Sequence, residues 1–169
     1  MKITNKACIV AALLVAAACS PGDKAGTSSS ATASWTGAPL PVHEITIEVD
    51  DKALAAMVQF DDKLRVTTLY YGLPTTQSAA KANARHELEM GKAEVVLDRT
   101  AKSVTIRGEG LDPTLLADTA DGQVHYKASI HALTQANFLH DILECSTARG
   151  TMTQPQVQPG VIRCSLPTP

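Results

Sequence analysis

The sequence predicts a mainly β fold: an antiparallel β-sandwich with one or two short helices packed on it, with a small α+β domain as the alternative. Three observations lead there. About seven short segments either alternate apolar and polar residues or concentrate β-branched and aromatic ones, with turn-like stretches between them. They lie within a single stretch, residues 42–166, long enough to bury one core and free of internal repeats. Two late segments each place a cysteine, Cys145 and Cys164, beside an apolar pair, as two stapled antiparallel strands would.

Residues 42–49 begin the domain. Ile45, Ile47 and Val49 share one face and Glu44, Thr46 and Glu48 the other, as in a half-buried strand. Residues 51–58 suit a short helix capped by Asp50 or Asp51. Residues 63–72 are β-branched and aromatic, with Leu64, Val66, Thr68 and Tyr70 on one face. Residues 77–90 are rich in helix formers but carry only a weak apolar stripe, so they read as a surface helix or a long loop. Residues 93–97 and 103–108 flank a polar tip, Asp98-Arg99-Thr100-Ala101-Lys102, and suggest a hairpin. Asp112 before Pro113 suits the cap and first position of one or two helical turns. In residues 123–133, Val124, Tyr126, Ala128 and Ile130 point one way and His125, Lys127, Ser129 and His131 the other. Residues 141–146 and 160–166 are the two cysteine-bearing strands. The spacing of a tryptophan between paired cysteines that marks immunoglobulin domains is absent.

The N-terminus has a different character. Lys2 and Lys6 precede an uncharged run from Ala7 to Ala18, which ends at Cys19 behind small residues. The run is shorter than the about 20 apolar residues of a spanning helix, and Ser20-Pro21-Gly22 after it ends a helix. A retained anchor and ordinary cleavage behind Ala18 are the competing readings. The segment, with Ala16-Ala17-Ala18-Cys19 at its end, resembles the signal peptide and lipobox of bacterial lipoproteins; Ala16 stands where that pattern prefers Leu. The resemblance implies that residues 1–18 are a signal peptide and that Cys19 becomes the first mature residue, with a diacylglycerol on its sulfur and a further acyl chain, such as palmitate, on its amine. Two or more chains give stable attachment where one holds only marginally. Ser20, rather than Asp, resembles cargo of the outer membrane, with the body facing the periplasm or the cell exterior.

Residues 19–41 then read as the lipidated cysteine and a flexible tether rich in Gly, Ser, Ala and Thr, and residues 167–169 as a tail. Trp35, within the tether, is expected to dock on the folded domain rather than sit at the lipid interface. Of the four cysteines, Cys8 leaves with the signal and Cys19 is acylated. Cys145 and Cys164 remain as an even pair in an oxidising compartment, where a disulfide is expected and two buried free thiols are the alternative.

The chain has 15 basic and 17 acidic residues; losing Lys2 and Lys6 leaves 13 against 17, a net charge of −4. That balance disfavours nucleic acid and electrostatic docking on anionic lipid. The five histidines form no metal-binding spacing: His125 and His131 share a strand face but lie about 20 Å apart on an extended chain, and His86 belongs to no HExxH motif. His43 and His140 are isolated. No nucleophile elbow, S-x-x-K motif, phosphate loop or calcium loop is present, and Asp50-Asp51 and Asp61-Asp62 read as turn caps.

The sequence therefore points to no catalytic residue, no metal and no cofactor. The expected protein is a lipid-anchored, non-catalytic binding or inhibitor (immunity-like) module, with a membrane contact through its anchor, a protein partner in the cell envelope and no nucleic acid. An assembly or accessory lipoprotein that docks to another envelope component, for instance by strand addition to residues 125–133, is the alternative. Replacing Cys19 with Ala should leave an unacylated precursor that fractionates away from membranes, as read by mass spectrometry of the amino terminus.

Overall fold

The computed structural model describes residues 40–134, 139–140 and 142–168. The signal segment, Cys19, most of the tether with Trp35, and Asp141 lie outside the described residues.

Chain alternation builds two sheets that share one core. The first contains β1 (His43–Val49), and the helix α1 (Asp51–Gln59) follows it; β2 (Lys63–Gly72), β3 (Leu88–Leu97) and β4 (Ser103–Ile106) come next. After them come β5 (His125–Leu133), the short β6 (Leu139–His140) and β7 (Glu144–Cys145), then β8 (Ala148–Thr151) and β9 (Gly160–Ser165). The four-stranded sheet has the order β4-β1-β9-β7; the five-stranded sheet has the order β3-β2-β5, with β6 and β8 both paired to the far side of β5. All pairs are antiparallel except β1 with β9, which run parallel with Ile47 beside Ile162. The fold is thus a mainly β sandwich with one α-helix and short 3-10 turns.

The core forms where the inward residues of the two sheets meet. Leu64, Val66 and Tyr70 of β2 and Tyr126, Ala128 and Ile130 of β5 bury against Ile45 and Ile47 of β1, Val104 and Ile106 of β4, and Ile162 of β9. Each large apolar side chain so buried contributes about 1.5–3 kcal/mol. Helix α1 starts where the Asp50 carboxylate accepts from the Ala53 amide at 2.6 Å and turns Ala53 and Met57 inward. Its C-terminus is held from outside: Arg99 donates to the Met57 carbonyl at 3.0 Å and to Asp61 at 2.6 Å, a cation placed where the helix dipole favours one. Asp112 accepts from the Thr114 amide at 2.9 Å and starts the 3-10 turn at Pro113–Asp118.

Three expectations are corrected. Of the two readings of residues 77–90, the helix fails and the loop holds as far as Glu87. Only Ala79–Lys81 makes a 3-10 turn, and β3 begins already at Leu88. The Asn83 side chain accepts from the amides of Arg85 (2.8 Å) and Glu87 (3.1 Å), giving the backbone a local alternative to helix, and the core takes Leu88 and Met90 with a strand's period. Residues 93–97 and 103–108 do not pair as a hairpin. The turn at Asp98–Lys102 carries the chain from one sheet to the other, with Arg99 fastened over α1 and Val104 set beside Ile45. Residues 125–133 are not an edge, because β2 lies on one side of β5 and β6 and β8 lie on the other.

Cys145 and Cys164 face each other across β7 and β9 and form a disulfide, with Cα atoms 4.1 Å apart. Among the described residues no helix is long and apolar enough to cross a membrane. The bridge closes a separation of 19 residues, for which chain entropy gives a stabilisation of about 3 kcal/mol. Chemical unfolding of Cys145→Ser should show a loss of that size, and reducing the native chain should reproduce it.

Candidate functional site

The open side of the sandwich is the leading candidate. Strand β3 ends the five-stranded sheet and β4 ends the four-stranded one, and the chain passes between them without pairing the two. A groove of about 430 Å³ lies between these edges. Its floor is the inward face of β2, Val66, Thr68 and Tyr70; Ala93, Val95 and Leu97 of β3 form one wall and Val104 and Ile106 of β4 the other. Packed interiors contain few voids larger than a water molecule, and ligand sites commonly fall between about 300 and 1,000 Å³. The groove is therefore a built recess.

Its polar lining consists of Thr68, Tyr70, Glu94, Ser103, Thr105 and Glu109. The Tyr70 hydroxyl is buried and lies close to the Gly108 main chain without a hydrogen bond of good geometry. Burial first, and then the Glu109 carboxylate at the end of the groove, push the phenol well above its ordinary range, so it stays protonated and able to donate. At the rim, Glu94 pairs with Lys92 on its own strand and with Arg65 at 3.6 Å on β2. The hydrogen bond from Lys92 holds the Glu94 carboxyl below its ordinary range. The outer half of β3 leaves Val95 and Val96 more than two-fifths exposed, where no strand lies beyond it among the described residues.

A second, smaller recess of about 240 Å³ lies between β5, β8 and the starts of β1 and β9. His43 lines it, buried to 2 % exposure, with Nε2 unpartnered. The Met152 carbonyl accepts from the ring, and Tyr126 packs edge-on against it at 5.4 Å. Gly150 and Gly160 keep the space around the Tyr126 hydroxyl open: a Cβ at Gly150 would come within 2.7 Å of it. Gln156 holds the loop over this recess, since its side-chain amide accepts from the Glu44 amide and donates to the Glu44 carbonyl, each at 2.7 Å. Burial lowers the basicity of His43, so the ring is a neutral acceptor. Among the described residues no carboxylate, cysteine or serine lines this recess; its hydroxyl groups are those of Thr151 and Tyr126.

The residues singled out in the sequence fare differently. Cys145 and Cys164 come together; Cys19 is outside the described residues. His125 and His131 stay on the outer face of the five-stranded sheet, where His125 stacks on Tyr71 and meets Asp121 at 2.8 Å. Asp62, read as a turn cap, is fully buried with neither carboxylate oxygen partnered. Among the described residues no three His, Cys, Asp or Glu side chains are arranged to hold a metal ion. Burial of His43 was readable after all, because His43 stands two residues before Ile45 and so shares the inward face of β1. The groove had no such signal, since it depends on which strands fail to pair.

His43 gives a pH dependence with a definite sign. Its pKa is lowered on folding, so below about 6.5 the unfolded chain takes up a proton that the native ring resists. Stability from this residue is complete above that value and falls as pH drops through it toward the lower native pKa. Melting curves between pH 5 and 7.5 should therefore show a loss toward acid that is smaller in His43→Leu. Comparisons with known protein families, with curated proteins and with solved structures return no match.

Proposed function

We propose that this chain is an outer-membrane-anchored lipoprotein whose domain works by binding, as a non-catalytic inhibitor or immunity-like module, with its protein partner engaged at the open side of the sandwich. The groove between β3 and β4 carries this reading: an apolar recess bordered by two unpaired strand edges is a surface that a partner completes. The likeness of residues 1–19 to a lipoprotein signal supports the address, and the tether composition of residues 20–41 supports a body that reaches a partner away from the leaflet. The groove's two walls are apolar and its Glu94 carboxylate is engaged by Lys92 and Arg65, which favours binding over turnover.

A photo-reactive side chain placed at Val95 in the full chain, expressed in its own bacterium, should trap one discrete partner. The same group at Glu144, on the opposite edge strand of the four-stranded sheet, should not. Trapping at Val95 should also weaken when Cys19→Ala removes the anchor. Equal adducts from both positions, or none from Val95, would overturn the reading.

A further inference from the structure

We infer that the occupant of the groove is an extended segment of the partner that adds to β3 as an antiparallel strand, with apolar side chains at alternate positions entering between the sheets. This rests on the binding reading of the same groove and names the chemistry of what fills it.

The free edge of β3 already accepts such pairing from its own chain. Leu111 bridges Gly91 antiparallel, and the Asp112 amide donates to the Met90 carbonyl at 2.6 Å. Gly110 lies against the Lys92 main chain, and the cover stops there. By strand alternation, the main-chain groups of Glu94 and Val96 point away from β2, toward an edge with no strand beside it among the described residues. Residues 93–97 offer about 17 Å of edge. The side chains of Ala93, Val95 and Leu97 turn into the groove instead.

An occupant must therefore satisfy two demands at once: hydrogen bonds along an edge and apolar contact at every second position. An acyl chain meets only the second and leaves the β3 amides and carbonyls unpaired beneath it, which is costly once water is displaced. A helix meets neither the spacing nor the hydrogen bonds. An added strand meets both, with main-chain bonds supplying affinity and alternate side chains supplying selectivity.

The probe is a seven-residue peptide, acetyl-Lys-Val-Thr-Val-Thr-Val-Lys-amide, titrated into the full domain by NMR. In the added strand the Val side chains face the groove, and the Thr amides face β3. The amides of Glu94 and Val96 should gain protection from exchange on binding, and N-methylation of the Thr residues should weaken binding at least tenfold. N-methylation of the Val residues should change it little. Val96→Pro, which removes an outward amide while sparing the β2 ladder, should weaken the peptide as strongly. Equal binding of the two N-methylated peptides, binding of laurate but not peptide, or a β3-to-β3 dimer of the chain itself as the only species formed would overturn strand addition. The partner trapped at Val95 separates the two readings. If Val95→Asp abolishes its capture and Val96→Pro does not, the groove binds but not by strand addition; if neither matters, the groove is not the partner site.

Discussion

Burial of one face of β2 and β5 against β1 and β9 is the constraint on which the rest of this molecule depends. Leu64, Val66, Tyr70, Tyr126, Ala128 and Ile130 are all but inaccessible to water, and they alternate along their strands with Arg65, Thr67, Lys127 and Ser129. A slip of one residue in either strand would drive charges into the core and turn the apolar set outward. The register is thereby specified from both sides. The disulfide, the Arg99 clasp on α1 and the Gln156 clasp on β1 act at the margins of that frame.

The four sheet edges are treated unequally. Strand β7 is two residues long and bonded covalently to its neighbour; β6 and β8 divide the outer side of β5 into short pieces. These are familiar ways to blunt an edge. Strand β3 is protected only near Gly91, where Leu111 and Asp112 cover it, and by Lys92 and Glu94 on its outward face. Beyond Glu94 the edge is apolar and open, and it faces the equally unpaired β4 across the groove. The crossing turn at residues 98–102 is responsible. By delivering β4 to the opposite sheet, it forgoes the hairpin that would have covered both strands.

The His43 end of the core follows another logic. A polar ring is buried there with one nitrogen satisfied by the Met152 main chain and the other by no group among the described residues. Such a group costs free energy, and the loop fastened by Gln156 keeps it covered. The consequence of that burial is a stability that responds to acid.

Much of the fold was legible in residue order. Period-two alternation identified β1, β2 and β5 and their inward faces, and capping chemistry located α1 and the turn after Asp112. Alternation is a local property, dictated by the geometry of an extended chain meeting one apolar phase, so it survives in the sequence. The helix reading of residues 77–90 misled because intrinsic helix preference is weak, a few tenths of a kcal/mol per residue, and it yielded to Asn83 and to the core's demand for Leu88 and Met90. Strand partnership is different. That β5 is interior, that β1 runs parallel to β9, and that β3 and β4 part company are outcomes of the competition among long-range pairings. Those energies exist only between segments far apart in the chain, and the groove is what that competition left unpaired.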